Sequence, residues 1–125
     1  MKALLSIKPK YVERIMSGAK RYEYRRRLFA RDDVDSIVVY STLPVSSVVA
    51  EISIKSILSG SPDQLWEKTK SSGGIAEAEY YSYFEGASVA YAIELGEVTA
   101  FHTPIPLSEY CSHPSRPPQS FAYIQ

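Results

Sequence analysis

From Ser17 to Arg27 the chain reads SGAKRYEYRRR. Gly18 stands where the apolar stripe Tyr11, Val12, Ile15 and Met16 runs out, the usual place for a left-handed helix stop. Beyond it, Lys20–Leu28 alternates as a strand. Tyr22, Tyr24 and Arg26 fall on one face, and Arg21, Glu23, Arg25 and Arg27 on the other. Within these eleven residues a helix hands over to a strand with one charged side, and six of the side chains are Lys, Arg or Glu.

Toward the N-terminus, Lys2–Ile7 reads as a short apolar strand, and Pro9 suits the first turn of the helix that Gly18 ends. In the other direction, Ser36–Ser41 (SIVVYS) is a continuous apolar run expected inside a sheet. Pro44 breaks the chain before Ser47–Leu58, a strand rich in Val and Ile. Ser59–Asp63 is turn chemistry, with Ser61 placed to cap a helix from Pro62 through Trp66 to Lys70. Gly73 and Gly74 end that helix. A second short helix spans Ala76–Phe84 and stops at Gly86. Ser88–Leu95 and Glu97–Thr103 read as two strands around a turn at Gly96. The tail from Pro104 holds five of the eight prolines and is expected to wrap over the fold in order. Five to seven short strands with three short helices make an α+β pattern. The absence of a βαβ rhythm favours a small, partly closed barrel.

At 125 residues the chain fits a single domain over 1–125 and can bury a core without a staple. Cys111 is the only cysteine, which excludes an internal disulfide and fits a reducing cytoplasm. The opening MKALLSIKPK is too short an apolar run for a signal peptide, and no segment has the length of a membrane span. His102 and His113 lie far apart beside one thiol, so neither a metal nor a cofactor is expected. Net charge is zero but unevenly spread: residues 1–31 carry ten cations against two carboxylates, and the remainder four against twelve. Such asymmetry fits an anionic partner on one face, or neutralisation of one part by the other across the fold.

Glu23 and Arg25 are two apart on one strand face, so their side chains project together. Pairing would hold the guanidinium fork in one orientation, while Lys20 offers a compact ammonium at the start of the strand. With backbone N–H groups after Gly18, these cations form a site for phosphate or carboxylate. Lys8, before a proline where the chain turns, is a further candidate. Tyr22, Tyr24 and Tyr40 offer faces for base stacking, although at least one of Tyr22 and Tyr24 suits the core better. Arg21, Arg26 and Arg27 extend the field as a rim that tracks a nucleic-acid backbone. Glu51 interrupts an apolar strand, where a carboxylate is normally paired; Arg25 is an available partner, and a general base is the functional alternative. Glu94 admits the same two readings. Gln119 and Ser120 either hydrogen-bond a base edge or tie the tail down.

The stretch LLSIKPKYVERIMSGAKRYEYRRR resembles the opening of ASCH-domain proteins, part of the PUA-like group of RNA-associated barrels. Their G-x-K-x-x-E-x-R motif stands here as Gly18, Lys20, Glu23 and Arg25. Val38–Val45, Val48–Pro62, Val89–Val98 and Pro117–Ile124 extend the likeness, in particular to a subgroup described as transcriptional regulators, although the chain has no room for the helix-turn-helix that accompanies them. The resemblance implies a barrel of five or six mixed strands with two to three short helices packed around a cleft lined by the motif's Lys, Glu and Arg. Tyr40, Ser41, Gln119 and Ser120 join Lys8, Lys20, Glu23 and Arg25 as ligand-binding candidates, and RNA or a nucleotide is the implied partner. The alternative is a small amidohydrolase or ribonuclease acting on modified nucleosides such as N4-acetylcytidine. Its lysine maps onto Lys20, its threonine position holds Glu23, and Lys20, Glu23 and Glu51 become the catalytic candidates.

Overall fold

In the computed structural model, which describes residues 1–124, the apolar runs make one mixed sheet. Strand β1 (Lys2–Ile7) lies parallel to β3 (Ser36–Ser41), with Leu4 opposite Val38. All six residues of β3 are buried, as its unbroken apolar run requires. Strand β4 (Ser47–Gly60) runs antiparallel to β3 and to β5 (Ala90–Ile105), and its register slips at several bulges. Such slips strengthen twist and bend the sheet toward closure. Two short edge strands complete it, β2 (Tyr22–Arg25) on β5 and β6 (Phe121–Ile124) on β1. The order β2-β5-β4-β3-β1-β6 leaves a half-barrel of six strands, the PUA-like α+β architecture.

Local chemistry places the helices. Helix α1 (Pro9–Ser17) has proline in its first turn and stops at Gly18, whose φ of 85° is left-handed. Helix α2 (Pro62–Thr69) carries a capping box in which Ser61 and Gln64 each satisfy the other's backbone N–H. Helices α3 (Glu77–Tyr83) and α4 (Leu107–Tyr110) follow. Val12 and Ile15 of α1 pack on Leu5, Ile37, Ile52 and Ile93 in the main core. Leu65, Trp66, Tyr80 and Phe84 form an aromatic core with Tyr24 and Ala92. Behind the sheet, Leu107 and Ile124 cover Leu4, Val38 and Val48.

Several expectations need correction. Met16 is exposed at the end of the α1 stripe. The expected strand Lys20–Leu28 contracts to β2; at its start Lys20 N–H donates to Arg14 O, and Arg21 N–H to Ser72 O. The two strands expected around Gly96 are one continuous β5. Gly96 makes no turn; a side chain there would come within 3.0 Å of Ser53 O, so glycine lets β5 lie close on a bulge of β4. Tyr40 is buried with Leu4, Val48 and Leu107, and Ser41 is buried beside it, so neither presents a surface to a ligand. The tail is ordered as expected, through α4 and β6. No helix among the described residues is long and apolar enough to cross a membrane.

Candidate functional site

A cleft of about 540 Å³ opens between α1, β2 and α3. Lys8, Tyr11, Lys20, Glu23, Tyr24 and Arg25 line it from one side; Ile75, Ala78, Glu79, Ser82 and Tyr83 line it from α3 and the turn before it. Four of the expected ligand-binding residues, Lys8, Lys20, Glu23 and Arg25, therefore meet in one concavity.

Lys20 is the most enclosed of them, at 2% exposure. Its Nζ donates to Gly73 O at 3.1 Å and lies 4.8 Å from the centre of the Tyr24 ring and 5.3 Å from that of Tyr11. Burial lowers its pKa; Glu23 opposes that shift, and Arg14 and Arg25 add to it. Gly74 makes the enclosure possible. Its φ is 63°, and a side chain there would meet Lys20 Cα at 2.7 Å. Arg14 ties the same turn down by donating to Gly74 O at 2.9 Å.

Arg25 Nε stands 3.1 Å from Glu23 Oε2, the pairing their two-residue spacing predicts. Nε is nevertheless sealed from solvent and makes no hydrogen bond, and Nη2 donates to Ser6 O at 3.3 Å. Opposite, the Tyr11 hydroxyl and Lys10 both donate to Glu79 Oε2, which lowers the Glu79 pKa. Burial, and then this hydrogen bond, pushes Tyr11 up to about 12.

A smaller hollow of about 210 Å³, formed by Arg25, Arg26, Arg27, Tyr83, Gln119 and Ser120, adjoins the cleft at Arg25 and Tyr83. Gln119 and Ser120 thus reach the same neighbourhood from the tail. Arg26 is held there by Tyr83 O and Glu85 O, both at 2.9 Å, while Arg27 is exposed. Arg21 departs from the expected rim, since its Nη2 donates to Leu95 O at 2.8 Å and it lines neither concavity.

Glu51 is also elsewhere. Its partner is Lys2, at 2.8 Å, rather than Arg25, and it lines no part of the cleft. Lys2 belongs to a separate hollow with Tyr110, Cys111 and His113. Glu94 accepts from Ser56 Oγ at 2.7 Å. Tyr24 is core, edge-on to Tyr80 and Phe84, with its hydroxyl 2.7 Å from Thr69 Oγ1. Among the described residues no group of three or more His, Cys, Asp or Glu could hold a metal ion.

Sequence reading missed the α3 wall. Its signal was the helical spacing of Ile75, Ala78, Glu79, Ser82 and Tyr83, hidden because that face combines apolar and polar side chains.

The profile of the ASCH domain matches residues 5–99. The chain belongs to the ASCH-domain family. It is 31% identical to an ASCH domain-containing ribonuclease of Zymomonas mobilis, over 98% of this chain and 84% of that protein. The crystal structure of ASCH from Zymomonas mobilis superposes with a TM-score of 0.89 at 30% identity, covering 99% of this chain and 87% of that one. A large ribosomal subunit protein uL22 of Ureaplasma parvum is 25% identical over 98% of this chain, which spans only 39% of that protein. None of these three is named as a transcriptional regulator, so the narrower resemblance to that subgroup lacks support.

Proposed function

We propose that this ASCH domain binds single-stranded RNA in the cleft between α1, β2 and α3. One observation carries the reading: Lys8, Lys20 and Arg25 converge there with Glu23, in a cleft that Tyr11 and Tyr83 also line. The cations answer phosphate charge, and the aromatic walls suit unstacked bases. Arg27, with Gln119 and Ser120 in the adjoining hollow, gives the strand a way out. A salt titration with a fluorescent single-stranded RNA tests this. Binding should weaken steeply with salt and drop about tenfold or more in a Lys8→Ala, Arg25→Ala double variant that still melts cooperatively. Absence of binding at low ionic strength overturns it.

RNA cleavage is a second reading, favoured by the name of the Zymomonas relative and by the Lys20 amine, whose burial favours its neutral form. In that reading Lys20 Nζ takes the proton of a ribose 2′-hydroxyl. The 2′-oxygen bonds to phosphorus as the P–O5′ bond breaks, the 5′-oxygen gains a proton from water, and Arg25 faces the phosphoryl charge. A 2′,3′-cyclic phosphate product that a Lys20→Met variant does not form supports this; equal product from both excludes it. Amide hydrolysis of N4-acetylcytidine in the same cleft would draw on Glu23 rather than Glu51 as base, since Glu51 lies elsewhere, and release of cytidine is its assay.

A further inference from the structure

Glu23 and Arg25 neutralise one another in charge but not in hydrogen bonding. Both side chains are about nine-tenths buried, at 10% and 12% exposure. Among the described residues no donor hydrogen-bonds to either Glu23 oxygen, and Arg25 Nη1 donates to nothing; its protein contacts are Nη2 to Ser6 O and Nε beside Glu23 Oε2. Of these unpartnered atoms, only Arg25 Nε is shut away from solvent. The Glu23 oxygens and Nη1 are therefore open to solvent, on residues that line the cleft and, for Arg25, also the adjoining hollow, and a ligand can replace water at these atoms.

The placement of these atoms is informative. Oε2 is the carboxylate oxygen 3.1 Å from Arg25 Nε, so two adjacent acceptors without a donor stand next to a guanidinium whose Nη1 is unpartnered. Glu79, the other carboxylate of the cleft, is already occupied by Tyr11 and Lys10 and does not compete for this role. We propose that this carboxylate, with the guanidinium beside it, reads a guanine base. Guanine presents donor, donor, acceptor along one edge: N2–H and N1–H toward the carboxylate, and O6 toward the guanidinium. Uracil offers acceptor, donor, acceptor, and cytosine acceptor, acceptor, donor; adenine has only one donor beside one acceptor on that edge. Each of these leaves at least one buried group unpaired or opposed, which is how a hydrogen-bonding site rejects a wrong ligand.

This inference rests on the RNA-binding reading and is tested with the whole chain and uridine hexamers carrying a single guanosine, inosine, adenosine or cytidine. The guanosine hexamer should bind about fivefold or more tighter than the all-uridine one, with inosine, which lacks the N2 amine, in between. A Glu23→Gln variant, which replaces one acceptor with a donor, should bring guanosine and inosine to within about twofold of each other. If all hexamers bind the wild-type chain alike, or cytidine or adenosine leads, the guanine assignment falls while RNA binding stands. If no hexamer binds, the RNA reading falls and this one with it.

Discussion

Lys20 shows how surroundings change the chemistry of one residue. Its ammonium is taken out of water, held by a single carbonyl and faced by two rings, so burial lowers its pKa below the ordinary 10.5. A lowered folded-state pKa means that the unfolded chain holds this proton to higher pH. The Lys20 contribution therefore raises stability with pH between the two values. Binding follows the opposite sign: a cation that phosphate needs is lost as pH rises, earlier than for an exposed lysine. RNA affinity should accordingly begin to fall below pH 10.5, and Lys20→Arg should flatten the profile in anisotropy titrations. Tyr11 has the reverse linkage. Its folded pKa of about 12 stands above the ordinary 10, so stability is lost as pH rises through that window, and Tyr11→Phe should remove this part of the alkaline slope in denaturant melts. Glycine-then-lysine before an alternating strand marked Lys20 in the sequence. Its burial was not legible there, because the covering turn lies more than fifty residues away at Gly73 and Gly74.

Among the elements, the turn between α2 and α3 governs access to that amine. Gly74→Ala should destabilise by about 1–3 kcal/mol, since the added methyl overpacks against Lys20 at a left-handed backbone position. Gly18→Ala meets open space at φ 85°, so only the backbone penalty of about 1–2 kcal/mol applies. Chemical denaturation gives both numbers, and only the Gly74 variant should also weaken RNA binding. Helix α2 was readable almost to the residue, because Ser61, Pro62 and Gln64 are local signals that act within one turn. Strand β5 was not: Gly96 looks like a turn in sequence, and its real reason, the close approach of Ser53 on β4, is a tertiary fact. Tyr40 failed similarly. An aromatic in a strand looks the same from sequence whether it faces a ligand or, as here, α4 and β6.

Across the whole molecule, much of the uneven charge is neutralised within the fold. Lys2 pairs with Glu51, Lys10 with Glu79 and Arg31 with Asp33, while Arg14, Arg21 and Arg26 bond to carbonyls. Lys8 and Arg27 have no ion pair or side-chain hydrogen bond among the described residues and lie by the concavities. Each should therefore lower the salt dependence of RNA binding by about one unit of log–log slope when changed to alanine. Glu51→Gln, on the interior strand β4 and outside both concavities, should leave both affinity and slope unchanged. A loss of affinity in that variant would show that the hollow around Lys2 takes part.

The parallel pairing of β1 with β3 has a further implication. Two adjacent strands that run the same way need a long crossover, and here residues 8–35 supply it. That one excursion carries Lys8, Tyr11, Lys20, Glu23 and Arg25. One wall of the cleft is thereby gathered in a single segment bracketed by two strands that pair with each other. Exchanging that segment between relatives should transfer ligand preference while the host scaffold keeps its shape.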